Sequence, residues 1–339
     1  MLFHNVAIDA MAYELPPHRI TSAELEELIA ETMTLLGIEK GKIERPTGIR
    51  ERHFWDVGVT PSSAATLVAQ KVIEKSGIDP NEIGCLISTS ITKDYVEPSV
   101  ASLIHGNLKL SSRCINFDIT NACLGFLDGI NTISLMIESG VIKYGLVVSG
   151  ECMREGVEAT IKLLQSPDVT NQIFYDNFAS LTLGSGAVAM LLAHKDLSKS
   201  GHLIEGSVNL SATEHNRLCI AQRNYMKTDS RTLLTAGVEL VLRTWQIATE
   251  TFEKWGDEFT ALYVPHQVST KQIEAFASFI GVDMHKVYLT LHTLGNMASA
   301  ALPLSLAMAA DEGRLNPGDQ AVLVGVGSGI NCSIMRVMW

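Results

Sequence analysis

A cysteine, a histidine and an asparagine stand far apart in this chain, each at the tip of a run that reads as a strand: Cys123, His266 and Asn296. A thiol, an imidazole and a carboxamide brought together can attack a carbonyl and stabilise the oxyanion that results. Cys123 sits at a join. Before it, Ile115, Phe117 and Ile119 alternate with smaller or polar residues as in a strand; after it, Phe126, Leu127, Ile130, Ile133, Met136 and Ile137 recur at helical spacing. Asn121 is placed to cap that helix, Gly125 to let the backbone turn, and Gly140 to end it. A thiol at a helix's first turn feels the positive end of the dipole, which favours the nucleophilic thiolate. Taken singly each residue has a plainer reading: Cys123 as a small buried hydrophobe, His266 beside Pro265 as a strand-end cap, Asn296 beside Gly295 as a turn residue. It is their convergence that would carry chemistry.

The surrounding elements make convergence expected. After residue 61 the chain alternates helix (SSAATLVAQKVIEKSG), strand (IGCLISTS), a loop, a helix near Ala101 to Leu108, the Cys123 strand and helix, and the strand Tyr144 to Ser149. An irregular helical insertion near 153–178 follows, and then LTLGSGAVAMLLAH, read as a strand pair. Apolar runs without alternation fit strands covered on both faces, hence an α/β class with a parallel-rich sheet. The second half repeats the order. HLIEGSVNLSAT matches the opening strand, RTLLTAGVELVLRTWQIATETFEKW the helix after 61, ALYVPHQVS the strand IGCLISTS, and QAVLVGVGSG the strand YGLVVSGE. HKVYLTLHTLGNMASAALPLSLAMAADEG parallels the Cys123 strand and helix, so Asn296 falls where Cys123 falls. A duplication with halves 1–200 and 201–339 is the economical reading, and it puts a site at the join, beyond the carboxyl ends of the strands.

Composition narrows the function. Of 339 residues 46% are hydrophobic and 19% charged, enough for a large core. A net charge of −11 argues against a general nucleic-acid binder. An anionic ligand would need a local basic cluster, and Lys40, Lys42, Arg45, Arg50 and Arg52 form the densest one, with local ion pairing to Glu44 and Glu51 as the alternative. The six cysteines form no CxxC pair, so neither zinc spacing nor a disulfide framework is suggested and a reducing cytoplasm fits best. The stretch MLFHNVAIDAMAYELP lacks a basic lead and a long apolar run, and nowhere do 18 uninterrupted apolar residues occur, so neither secretion nor membrane spanning is expected.

The strings NACLGF, VPHQV, GNMASAALP and GSGIN, with TGIRER near residue 47, resemble in order those of the thiolase superfamily of condensing enzymes, in its ketoacyl-ACP synthase III branch. The resemblance implies a duplicated five-layered αβαβα fold with two mixed sheets, a homodimer, and a triad of Cys123, His266 and Asn296. It further implies acyl transfer from a CoA or phosphopantetheine thioester to Cys123, with backbone amides of Cys123 and Ser328 holding the oxyanion and with no metal or permanently bound cofactor. His266 and Asn296 would grip the second thioester as its enolate forms.

Within that superfamily the chain is most similar to the OleA-type thiolases, which join two fatty acyl-CoAs head to head without decarboxylation. That chemistry needs a general base, and Glu97, in DYVEPSVAS, stands where that branch carries its glutamate, on a loop reaching the partner subunit's site. SPDVT at 166–170 and SATEHNRLC at 211–219 are also similar. Residues near Lys42 and Pro46 depart from the family's tryptophan and arginine that grip the CoA adenine, and Leu294 replaces its histidine. Arg45, Thr47, Arg50 and Ser269 remain as candidate CoA contacts. The alternatives are a decarboxylative synthase using malonyl-ACP or malonyl-CoA, for which acyl carrier protein would be a partner, and a non-catalytic acyl-binding subunit.

Overall fold

The apolar runs become thirteen strands in a computed structural model that describes residues 1–222 and 225–339. They are β1 (Val6–Glu14), β2 (His18–Thr21), β3 (Glu51–Phe54), β4 (Ile83–Ser88), β5 (Ile115–Asp118), β6 (Tyr144–Glu151), β7 (Gly186–His194), β8 (His202–Ser211), β9 (Cys219–Gln222), β10 (Tyr225–Thr228), β11 (Thr260–Pro265), β12 (Gln320–Gly327) and β13 (Asn331–Met338). Nine form a mixed sheet in the order β11-β12-β13-β8-β1-β7-β6-β4-β5; β2 pairs with β3, and β9 with β10.

The order is a palindrome. From the middle outward, β1-β7-β6-β4 is matched by β8-β13-β12-β11, with the same directions: β4 runs parallel to β6 as β11 does to β12, and the other pairs are antiparallel. The two expected sheets meet where Ala7 pairs with Leu203 and Ile8 with His202, so they run into one another. The counterpart of β5 in the second half shrinks to one parallel bridge, Tyr263 to Val287. LTLGSGAVAMLLAH forms a single strand, β7, rather than a pair, because it follows a 3-10 turn over Phe178–Thr182 and then runs uninterrupted against both β1 and β6.

Layering follows from which helix faces are apolar. The Gly125–Glu138 helix buries Phe126, Leu127, Ile130, Ile133 and Ile137, and the Ala301–Asp311 helix is apolar almost all round; both belong to the central core with residues of β1, β7, β11 and β12. Pro61–Ser76, with Pro61 at its first position and a Thr60–Ser63 capping box, packs with Val100–Leu108 on one outer face. Ser230–Thr251 and Thr270–Ile280 cover the other. Outer helices, sheet, central helices, sheet and outer helices make the five layers.

A fourth apolar cluster lies beside the sheet. It joins the Ser22–Leu28 and Ala30–Leu35 helices, which are one interrupted run broken at Ile29, to the Arg154–Leu164 and Asn171–Asn177 helices. No helix among the described residues is long and apolar enough to cross a membrane.

Candidate active site

Each half delivers one polar residue to the same end of the sheet by the same local device. Ala122 has φ of +46°, and Cys123 follows it; Gly295 has φ of +67°, and Asn296 follows it. The positive-φ residue turns the chain toward the following helix, after β5 in the first half and after the short Leu291–Leu294 helix, not the expected strand, in the second; for alanine that conformation costs about 1 kcal/mol or more. The Gly125–Glu138 helix therefore starts after Cys123, with Leu124 at its cap position and no side-chain cap. Asn121 does not cap it, contrary to expectation. Its amide N–H donates to Asp128 at 2.7 Å and its oxygen accepts from Asn331 at 3.2 Å, tying the turn to β13.

β12 closes on this turn because two of its glycines leave room. A Cβ on Gly327 would stand 3.1 Å from the Asn121 carbonyl oxygen and 3.3 Å from Leu124 N, and one on Gly325 would meet the Leu124 side chain at 2.4 Å. Ser328, next along β12's exit, thus sits at the Cys123 turn. His266 leaves β11 with its N–H donating to Val324 O of β12 at 2.7 Å. Its Nδ1 is buried and has no hydrogen-bond partner among the described residues. The following Gln267 is buried and fixes the loop toward Asn296, donating to Tyr288 O at 3.0 Å and accepting from Thr290 and Leu291 N–H at 2.9 and 3.0 Å.

Asn296 is held through its backbone: its N–H donates to Thr182 O and its carbonyl accepts from Gly184 N–H, both at 2.9 Å. Its Oδ1 accepts from Ala298 N–H at 2.9 Å, which leaves the carboxamide N–H2 as the group without a partner among the described residues. Ser299, three residues on, lies 3.3 Å from where a Gly125 Cβ would be, so the Asn296 loop lies directly against the Cys123 helix. Cys123 also packs against the fourth apolar cluster, as does Leu183.

Electrostatically the resting site is neutral. Burial pushes the Cys123 thiol up to about 12, and Cys219 and Glu151 push it further in the same direction. Burial pushes the His266 imidazole down to about 4. The thiolate expected from the helix dipole is therefore not the resting form; loss of water outweighs a dipole that Cys123 meets only from outside the first turn.

The remaining candidates are dispersed. Glu97 is exposed on the 92–99 loop and makes no hydrogen bond or ion pair among the described residues. Arg45 is exposed and pairs with Glu39 at 3.3 Å, while Lys40 pairs with Glu27. Arg50 faces a surface recess of about 330 Å³ with Thr21, Glu44 and Thr293. Thr47 is buried, its hydroxyl donating to Ile43 O and accepting from Ile49 N–H, and Ser269 caps the Thr270–Ile280 helix at Gln272 N–H. Arg52, read as part of the basic patch, is wholly buried. It donates to Ser22 Oγ at 3.0 Å and Leu181 O at 2.9 Å, because β3 turns residues 52 and 54 inward. Sequence reading missed Glu151, a buried carboxyl at the end of β6, and Ser299.

Residues 117–209 match the family described as 3-oxoacyl-(acyl-carrier-protein) synthase III, and residues 254–339 match its C-terminal region. Among curated relatives, the acyl-CoA:acyl-CoA alkyltransferase of Xanthomonas campestris is 40% identical over 339 residues and that of Shewanella oneidensis 38% over 351, each over the full length of both chains. Crystal structures of Xanthomonas campestris OleA superpose with a TM-score of 0.97 at 40% identity. One, a cysteine-to-serine variant with bound lauric acid and lauroyl-CoA, covers all of both chains; another, with bound cerulenin, covers 100% of this chain and 98% of its own.

Proposed function

The chain belongs to the 3-oxoacyl-(acyl-carrier-protein) synthase III family of the thiolase fold, and from that premise we propose that it is an acyltransferase condensing two fatty acyl-CoA thioesters head to head through an acyl-Cys123 intermediate. The observation that carries the proposal is the meeting of the Cys123 turn with the His266 strand end and the Asn296 loop, beside an apolar cluster of the kind a fatty chain needs. The names of the two alkyltransferases agree with it.

In the first half-reaction the Cys123 sulfur attacks the thioester carbonyl. Backbone N–H groups of Cys123 and Ser328 hold the oxyanion, neutral His266 is the group able to take the thiol proton, and CoA leaves as its thiol. In the second, Glu97 of the partner subunit removes the α-proton of another acyl-CoA, whose enolate oxygen is held by His266 and the Asn296 carboxamide. The enolate carbon attacks the acyl-Cys123 carbonyl and the Cys123 sulfur is released. Hydrolysis of the remaining thioester then gives a β-keto acid and the second CoA.

A homodimer suits this assignment. β5 is an edge strand with Ile115 exposed, and the Glu97 loop is tied to it: Asp118 accepts from Val100 and Ala101 N–H at 3.1 and 2.8 Å and pairs with Lys93. Val96 and Tyr95, 99% and 61% exposed, flank Glu97 on a loop poised to enter a second subunit. We assign the CoA phosphates to Arg45 and Arg50, with Thr47 and Ser269 shaping the adjoining backbone. We read residues 1–200 and 201–339 as the two thiolase halves, and place the enzyme in the cytoplasm, where its six unpaired cysteines would persist.

The test is incubation of the purified protein with myristoyl-CoA alone. CoA release, a myristoyl adduct on Cys123 and a long-chain β-keto acid or its ketone are expected, and none should form with Cys123→Ala. Condensation that proceeds only when malonyl-CoA or malonyl-ACP is added would replace this reading with the decarboxylative one.

A further inference from the structure

Glu151 ends β6, is wholly buried, and takes no part in the steps above. One carboxylate oxygen accepts from Ile91 N–H at 2.9 Å; the other accepts from the N–H and hydroxyl of Thr92 at 3.1 and 2.9 Å; the Ser299 backbone amide faces the same carboxylate and favours its charged form. Thr92 Oγ1 in turn accepts from Cys152 N–H at 3.1 Å. Ile91 and Thr92 are the root of the loop that carries Glu97. Ser299 lies three residues beyond Asn296, with its Oγ 3.2 Å from Thr89 Oγ1. One carboxylate thus ties β6 to two segments that lead to different members of the site, Glu97 and Asn296.

Three backbone N–H groups aimed at one carboxyl require an acceptor, and an apolar side chain would orphan them in a buried place. Burial opposes the anion, and the balance sets the group at about 7. Among the described residues the charged and titratable groups around it are few. Cys123 precedes the central helix and Cys152 follows the end of β6; burial pushes both thiols up, and the Glu151 charge adds to it. Asp94 is occupied by Ser62, Lys93 pairs with Asp118, and the Arg154 guanidinium donates to Trp55 O and pairs with Glu158.

We propose that Glu151 is a positioning residue of the condensation, its carboxylate bolting the root of the Glu97 loop and the Ser299 end of the Asn296 loop to the strand beside Cys123. It rests on the acyl-Cys123 reading above and adds a role for a residue outside the triad. Replacing one acceptor oxygen by an N–H2 group loosens both loops, while leaving the sulfur and its apolar surroundings in place.

The experiment compares Glu151→Gln and Glu151→Asp with the wild-type full-length protein. Myristoyl-CoA is used to separate the burst of CoA from acyl transfer and the steady-state rate of condensation, and iodoacetamide, followed by intact mass, gives the pH dependence of Cys123 alkylation. For Glu151→Gln the burst persists, steady-state condensation falls about tenfold or more, and the alkylation curve moves to lower pH because the neighbouring negative charge is gone. Glu151→Asp, which keeps the charge, holds the alkylation curve near the wild type and recovers part of the steady-state rate. A steady-state rate of Glu151→Gln within about twofold of wild type overturns the proposal, as does a loss of burst and steady state in equal proportion with an unmoved alkylation curve. If the wild type gives neither burst nor Cys123 adduct, the acyl-Cys123 reading fails; an unmoved alkylation curve would then overturn the Glu151 assignment separately.

Discussion

Gly184→Ala should separate the two half-reactions. Gly184 runs beside the Asn296 loop, its N–H donating to Asn296 O at 2.9 Å. A Cβ there would stand 2.1 Å from Leu294 O and 3.2 Å from Arg52 Cβ. Real Cβ atoms essentially never come within 3.0 Å of a heavy atom, and the obstacle is backbone, so the 294–296 segment must retreat by roughly 1 Å. A displacement of that size in a positioning group costs on the order of 100-fold in rate. Overpacking costs about 1–3 kcal/mol. With an unfolding entropy near 0.7 kcal/mol/K for 339 residues, that lowers Tm by only about 1–4 °C. The Cys123 turn is gripped by β12 and the central helix, so acyl transfer survives. Stopped-flow CoA release with myristoyl-CoA should therefore show an intact burst of about one equivalent per subunit followed by a steady state about 100-fold slower. A steady state within about threefold of wild type would refute the claim that the Asn296 loop holds the second substrate, and so would a vanished burst.

His266 and the basic loop give two further expectations. Because burial holds the folded-state imidazole at about 4, below its unfolded value near 6.5, the unfolded chain binds more protons between those values. The contribution of His266 to stability is therefore present above pH 6.5 and lost as pH falls toward 4, by at most about 1.4 kcal/mol per pH unit. Urea midpoints measured from pH 4 to 7 should show a shallower acid decline for His266→Gln; parallel curves would count against a buried neutral imidazole. Arg50→Ala should raise the KM for acyl-CoA about two- to tenfold at unchanged kcat and Tm, whereas Arg52→Ala should lower Tm by several degrees through its lost bonds to Ser22 and Leu181 with KM little altered. Melting curves and Michaelis plots of the two variants distinguish these, and a KM effect at Arg52 alone would reverse the assignment.

What the sequence made legible is what repeats. Matching runs such as ALYVPHQVS with IGCLISTS and QAVLVGVGSG with YGLVVSGE gave the strand correspondence that the palindromic sheet order displays. The position of Cys123 between β5 and the Gly125–Glu138 helix came with it, whereas Asn296, expected at a strand tip, follows the short Leu291–Leu294 helix. Features that depend on one contact escaped. Asn121 looks like a cap because its type suits one, yet a partner seven residues on and another on β13 claim it. Arg52 was grouped with surface cations, although the two-residue period it shares with Phe54 in ERHF already placed it on the inward face. Glu151 was passed over because it ends an apolar strand, and nothing local reveals that Ile91, Thr92 and Ser299 come to meet it. The second half's missing β5 counterpart is likewise set by tertiary packing, since HKVYLTL has strand-forming residues but makes one bridge.

The charge state of the site bears on why activation belongs to the ligand-bound state. A thiolate and an imidazolium held in reserve would each need water that this pocket excludes, so the resting pair is thiol and neutral imidazole. Adding a thioester brings a carbonyl whose oxygen can take the developing charge against fixed backbone N–H groups, so the sulfur need not carry a full charge in isolation. In the proposed second half-reaction the enolate would raise the same problem at the same spot, and a donor set of neutral N–H groups from His266 and Asn296 would answer it without a counter-ion. Glu151 limits how much negative charge this volume tolerates at once: while ionised, it opposes a free Cys123 thiolate. A free Cys123 thiolate and an enolate would repel one another at this spot, whereas the thiol and the acyl thioester are both neutral, so neither sulfur form that the proposed cycle uses opposes the enolate.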